Sequence, residues 1–381
     1  MNATQKLTIY LLRCALNKKI PDAKKLENAD FDAIMSFAEH HSISALVSRA
    51  VSSISEYEGL MTDEQMKKWK RAKNNAVRHF MLQKQEAQNV FDALEEAKIA
   101  YLPLKGCILS KYYEFGLREM SDVDILFDKT RQEDSRDIMV KLGYEITEFG
   151  EDYHDAYFKP PMYNVELHRY LFAPEKYPAY IEYYSDIFER SQKRKGREYE
   201  YVLDTDEFYI FVMTHAVKHF DGPGTGLRSL ADLYIYEKRE ELDEDRLRDA
   251  FERLGTTKSA SLLRRLANTV FDEENDLDAL PLSEEEFKKL DFIIESGTHG
   301  SDDHRLDKKI KEVEESDDVR KAKLKYVRGR MKLTPRQIEI TSPFFYTHKW
   351  ARPFLIFGRI HRGLTVNRKK LHREMDMLKK K

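Results

Sequence analysis

Cysteine is nearly missing from this chain: only Cys14 and Cys107 occur in 381 residues. Two thiols build no disulfide framework and match no metal-ligand spacing, so a reducing, cytoplasmic compartment is expected. Long hydrophobic runs are missing as well. The apolar residues between Met1 and Lys19 are too few and too interrupted for a signal peptide or a membrane span. Net charge is only −2, which excludes a global basic field pulling the chain to nucleic acid. The Gly-rich loop 221–226 lacks the Gly-Lys-Ser/Thr ending of a P-loop, so a helix connector is the favoured reading there. Hydrophobic residues make up 41% and charged residues 35%. That balance fits a helix-rich soluble protein with wide charged faces, long enough for one large core or two to three smaller ones.

The stretch from Tyr101 to Phe127 organises the rest. It reads as strand, Gly turn, helix, loop, strand. Residues 99–104 are short and apolar, and Lys105-Gly106 ends them. Residues 107–115 have helical content, and Gly116 stops them. Residues 121–127 then alternate, with Val123, Ile125 and Phe127 on one face and Asp122, Asp124 and Leu126 on the other. Two carboxylates side by side repel unless something positive lies between them, and a divalent cation is the usual solution. A solvated acidic strand face is the plain alternative. A third carboxylate, Glu166, lies in the alternating run 163–168, where Val165 and Leu167 face inward. That run follows an extended segment, 152–159, and a Pro160-Pro161 turn, which suggests a hairpin. Neighbouring strands would then gather Asp122, Asp124 and Glu166 as metal ligands. The expected cofactor is Mg²⁺, with Mn²⁺ as the alternative. Two such ions can clamp the attacking and leaving oxygens of a phosphoryl displacement.

Lys105-Gly106, Arg118, Ser121-Asp122-Val123-Asp124 and Val165-Glu166-Leu167-His168 resemble the polymerase-β-type nucleotidyltransferase superfamily. They are most similar to its bacterial branch of uncharacterised nucleotidyltransferases. The resemblance implies an α+β fold: a small mixed-sheet core flanked by N-terminal helices and a C-terminal helical domain. It implies an NTP such as ATP as partner, and transfer of its NMP to an acceptor with release of pyrophosphate. Asp122 and Asp124 would hold the ion that binds the triphosphate. Glu166 would help hold the second ion and orient or deprotonate the acceptor hydroxyl. Lys105, Gly106, Arg118 and Ser121 would contact the nucleotide, with Lys218, Arg228 and Asp232 as further candidates. One departure stands out. The superfamily has Gly-Ser after its first strand, and here Cys107 follows Gly106. Lys105 and the N–H groups of the following helix are expected to replace the serine. The acceptor stays open among small molecules, sugars, proteins and tRNA.

Taken in order, the chain divides as 1–96 (N-terminal helices), 97–203 (core), 204–340 (C-terminal helices) and 341–381 (tail). Helices are expected over 6–18, 31–40, 45–53, 63–96 behind Thr62, and 130–142. A strand follows at 144–149. Residues 171–184 read as a loop over the site, and 199–203 as a strand. Helices follow over 207–220, from Leu227, twice within 243–271 and over 284–296 behind Ser283, and the charged stretch 306–331 reads as either a long solvated helix or a partly mobile segment. His215 and His219 lie one turn apart, and a structural or substrate-contact role is preferred to a metal site. From Lys349 onward there are eleven Lys/Arg and two Asp/Glu, a net of about +9. Aromatics open this tail. It suits a helix docked on its own core, a peripheral membrane contact or RNA. The readings competing with an enzyme are a non-catalytic nucleotide-binding module and a membrane- or RNA-associated protein acting through this tail.

Overall fold

A computed structural model describes residues 1–298 other than Glu56 and Glu151, together with Thr347 and His348. The expectations for 306–331 and for the tail fall outside the described residues, save for those two positions. Three helices lead: α1 (Ala3–Leu16), α2 (Phe31–His40) and α3 (Ser44–Ser52). The first starts earlier than its apolar spacing suggests, because Asn2 and Gln5 close a capping box. Asp30 caps the second. Thr62 and Gln65 close another box, and α4 (Asp63–Glu96) follows for 34 residues, about 51 Å.

The core unit comes next: β1 (Tyr101–Pro103), the one-turn α5 (Gly106–Leu109), β2 (Val123–Phe127), α6 (Gln132–Lys141), β3 (Glu145–Glu148), β4 (His154–Lys159) and β5 (Tyr163–His168). Its sheet runs β1-β2-β5-β4-β3. Only β2 and β5 pair parallel; the other contacts are antiparallel. The mixed sheet and flanking helices make an α+β architecture. Beyond it lie α7 (Pro178–Tyr183), α8 (Ile187–Arg190) and a small ladder of β6 (Gln192–Lys193) with β7 (Tyr201–Val202). Residues 171–184 are therefore not the expected open loop. Phe172 is fully buried, edge-on to Tyr180 and Phe211 and tilted against Tyr184, so aromatic packing folds the segment into the core.

Five helices finish the described chain: α9 (Thr205–Phe220), α10 (Leu227–Glu237), α11 (Glu244–Arg253), α12 (Thr257–Phe271) and α13 (Glu284–Ser296). Asp204, Asp243 and Ser283 cap α9, α11 and α13. Among the described residues, no helix is long and apolar enough to cross a membrane.

The sheet divides two apolar cores. Tyr101, Val123, Ile125, Phe127, Val165 and Leu167 pack with Val90, Phe91 and Leu94 of α4 and Met139 of α6. Leu102, Leu104 and Leu126 face the other way, into a core shared by α1–α3 and α9–α13. Each fully buried Leu, Ile or Phe contributes about 1.5–3 kcal/mol. The alternation that buries Ile125 and Leu126 on opposite faces also sends Asp124 to the helical face.

Candidate functional site

Five segments meet at the site: the turn after β1, the start of β2, the end of β5, and turns of α9 and α10. Parallel pairing sets Asp124 opposite Glu166 and Leu126 opposite His168. Glu166 and His168 are two residues apart, so they share a face. His168 Nε2 lies 2.9 Å from Asp124 Oδ1 and 3.4 Å from Glu166 Oε2. One donor atom from each of the three lies within 4.8 Å of the others, the only such trio among the described residues. Lys105 Nζ donates to Asp124 Oδ1 from 2.8 Å.

Asp122 does not belong to this tightest set. It precedes β2 rather than lying on it, half-buried, and Ser121 Oγ donates to its Oδ1 at 3.2 Å. The expected donors were Asp122, Asp124 and Glu166; the closest donors are Asp124, Glu166 and His168. Asp122 still feels the group. Burial and then the charge of Asp124 raise its pKa to about 6. His168 was the residue to which sequence reasoning gave no role. Strand alternation from Glu166 was the signal that could have found it.

The charges are matched. Burial opposes ionisation of Asp124, but Lys105 and His168 outweigh it and hold the carboxyl well below its usual range. Glu166 is also lowered, its burial outweighed by the bond from His168. Burial works against a charged His168, yet its two carboxylate partners push it up. Lys105 is raised in the same way, by Asp124 and then Asp122.

Lys105 occupies an unusual backbone region, φ +40°, at the start of α5. The expected anion-binding helix start is largely taken up by its own turn. That helix is one turn long, and the N–H groups of Cys107 and Ile108 already donate to the carbonyls of Leu104 and Lys105. Burial and then Asp124 push the Cys107 thiol up to about 12, so it stays protonated. Gly106 is needed for close packing: a Cβ there would stand 2.9 Å from Met120 Sδ and 3.0 Å from a terminal nitrogen of Arg118.

Arg118, expected on phosphate, instead grips Asp232 of α10 with two bonds of 2.7 and 2.8 Å. Tyr113 donates to the same carboxylate. Arg228 donates to the Glu119 carbonyl at 3.1 Å and feels the charge of Asp122. On α9, the Lys218 ammonium lies over the rings of Tyr153 and Phe172, at 5.7 and 5.8 Å. Burial and then Lys105 lower its pKa to about 8, while Asp124 and Glu166 hold it up. His215 and His219 approach with their Nε2 atoms 3.2 Å apart. Burial, Lys105 and Lys218 keep His215 neutral. The arrangement is a partly buried anionic cluster ringed by cations, suited to gathering a divalent ion and a polyphosphate.

No curated protein and no solved structure matches the chain. Residues 27–272 match a family model described as uncharacterised nucleotidyltransferase, a span that holds every site residue named above. The chain belongs to that family, and nucleotidyl transfer from an NTP is the chemistry the family carries.

Proposed function

We propose that this protein transfers a nucleoside monophosphate from an NTP to an acceptor hydroxyl and releases pyrophosphate. One observation carries the reading: parallel register sets Glu166 against Asp124, 42 positions away in sequence, on the face toward α9 and α10. Two carboxylates and an imidazole within 4.8 Å, with Asp122 adjoining, fit a divalent cation. Asp124, Glu166 and Asp122 would hold it, Mg²⁺ or Mn²⁺, and the same carboxylates would serve a second ion. When bound, such ions neutralise phosphate charge and polarise the phosphoryl oxygens.

The chain's own groups supply the rest. Lys105 and His168 keep Asp124 ionised. Lys105, Lys218 and Arg228 are the cations that orient the triphosphate. Glu166 aligns the acceptor hydroxyl and takes its proton onto a carboxylate oxygen. The bond from acceptor oxygen to the α-phosphorus forms as the bond to the β-phosphate oxygen breaks. Arg118 acts at one remove: through Asp232 it fastens the loop before β2 to α10. Catalysis of this kind is positioning plus charge stabilisation.

The test is incubation with each α-labelled NTP, divalent metal and a cell extract, using wild type and a folded Asp124→Asn variant. Label should move to an acceptor and fall by about 10²–10³ in the variant. Equal labelling by the variant would remove Asp124, and the reading with it.

A further inference from the structure

Mg²⁺ asks for oxygen donors in a near-ideal octahedron, whereas imidazole nitrogen suits transition ions. The tightest donor set here contains one imidazole. Its spacing to the carboxylates, a hydrogen-bonding distance without an ion, is also the spacing of neighbouring ligands around one. Neighbouring donors around an octahedral ion bonded at roughly 2.1 Å stand about 3 Å apart. His168 Nε2 is 2.9 Å from one carboxylate oxygen and 3.4 Å from the other. The ring is also fixed in place. It is 3% exposed, lies opposite Leu126 on β2 and His154 on β4, and is flanked by the rings of Tyr153 and His154 at 5.7 and 5.2 Å. Its Nδ1 is buried and has no hydrogen-bond partner among the described residues. The polar contacts of this ring among the described residues run through Nε2 alone, toward the carboxylates.

We propose that a bound ion displaces the Nε2 proton of His168 to solvent and takes that nitrogen as a ligand, and that the site therefore selects Mn²⁺ over Mg²⁺. The carboxylates keep the hard character that Mn²⁺ shares with Mg²⁺, and the imidazole adds a bond that Mg²⁺ uses poorly. The inference rests on the carboxylates being a cation site, but it can fail alone.

The experiment is electron spin-echo envelope modulation on the full chain loaded with Mn²⁺, alongside competition dialysis of Mn²⁺ against Mg²⁺. Wild type should show nitrogen-14 coupling from a directly bound imidazole. His154→Gln should keep that coupling, and His168→Gln should lose it. The preference for Mn²⁺ should fall at least tenfold in His168→Gln, since even a hydrogen-bonding partner of a ligand changes affinity by about 10–100-fold. The wild-type spectrum decides the matter even where a variant misfolds. Mn²⁺ bound without nitrogen coupling, or coupling that survives His168→Gln, overturns the assignment and leaves the nucleotidyl-transfer reading intact. A wild-type chain that binds neither ion, with or without ATP, overturns both.

Discussion

Arg118 and Asp232 stand 114 residues apart and meet edge to edge, with Nε on Oδ1 at 2.7 Å and a terminal nitrogen on Oδ2 at 2.8 Å. Both side chains are under 10% exposed, at 7% and 8%. The pair ties the loop before β2 to α10, so it sets the separation between the carboxylates and Arg228. Removing one partner strands the other as a buried charge. Asp232→Asn should therefore cost about 3–5 kcal/mol, read as a lower urea midpoint. The double variant Arg118→Met with Asp232→Leu should recover part of that loss, the Tyr113 hydroxyl losing its acceptor as well. A single variant within about 1 kcal/mol of wild type would show that the pair is solvent-screened and does not clamp the loop.

That pair also marks where sequence reading stops. Local rules placed α4 because Thr62 and Gln65 form a cap and no Gly or Pro follows until past Glu96. They placed β5 because its alternation is strict. They brought Asp124 and Glu166 onto neighbouring strands. They could not show that Arg118 is taken by Asp232, because nothing near either residue encodes a partner on another element. Residues 171–184 misled for a related reason. Their Pro and Tyr content looks like loop composition, and ring packing of Phe172 on Tyr180, Tyr184 and the distant Phe211 turns it into core. The alternating pattern carries the strand back to Asp122, yet pairing with β5 begins at Val123.

Lys105 sits at φ +40°, ψ −109°, a region that a Cβ disfavours and glycine accepts. The turn tolerates this because the ammonium must reach Asp124. Lys105→Gly should thus be more stable than Lys105→Ala by about 1–2 kcal/mol in thermal or urea unfolding. Both variants should lose NTP binding alike. Equal stability of the two would mean that the backbone there is relaxed and that no strain is held at the site.

Gly116 ends the segment after α5 at φ +78°, and its α-carbon packs on α4. A Cβ there would lie 2.8 Å from the Val77 α-carbon, which is backbone and cannot step aside. Gly116→Ala should cost about 2–4 kcal/mol, from the left-handed conformation and from overpacking together. Gly255 supplies the control. Its φ is +67° and an added Cβ meets nothing within 4 Å. Gly255→Ala should cost only about 1 kcal/mol. If calorimetry gives both variants the same shift, the contact between Gly116 and α4 is looser than described.

His41 joins three helices without exposing an atom to water. Its Nδ1 accepts from the Leu227 N–H at 3.1 Å, at the start of α10, and its Nε2–H donates to the Ile294 carbonyl at 3.0 Å, near the end of α13. Burial, then the neighbouring His40, lower its pKa from 6.5 to about 3. The unfolded chain takes a proton on this ring near pH 6.5 and the folded chain does not until near pH 3. Proton uptake therefore favours unfolding throughout that window, and stability is full above it and lost as pH falls. At pH 5 the loss from this one ring is about 2 kcal/mol. Comparing wild type with His41→Gln, which keeps an acceptor and a donor but cannot take the proton, cancels every other titrating group. The variant should be the less stable protein at pH 8, and the gap should narrow by about 2 kcal/mol by pH 5, measured as urea midpoints across the range. A gap that stays constant from pH 8 to pH 5 would mean that folded His41 binds its proton as readily as the unfolded chain does, which a ring with one nitrogen accepting a backbone N–H cannot do while the three helices stay docked.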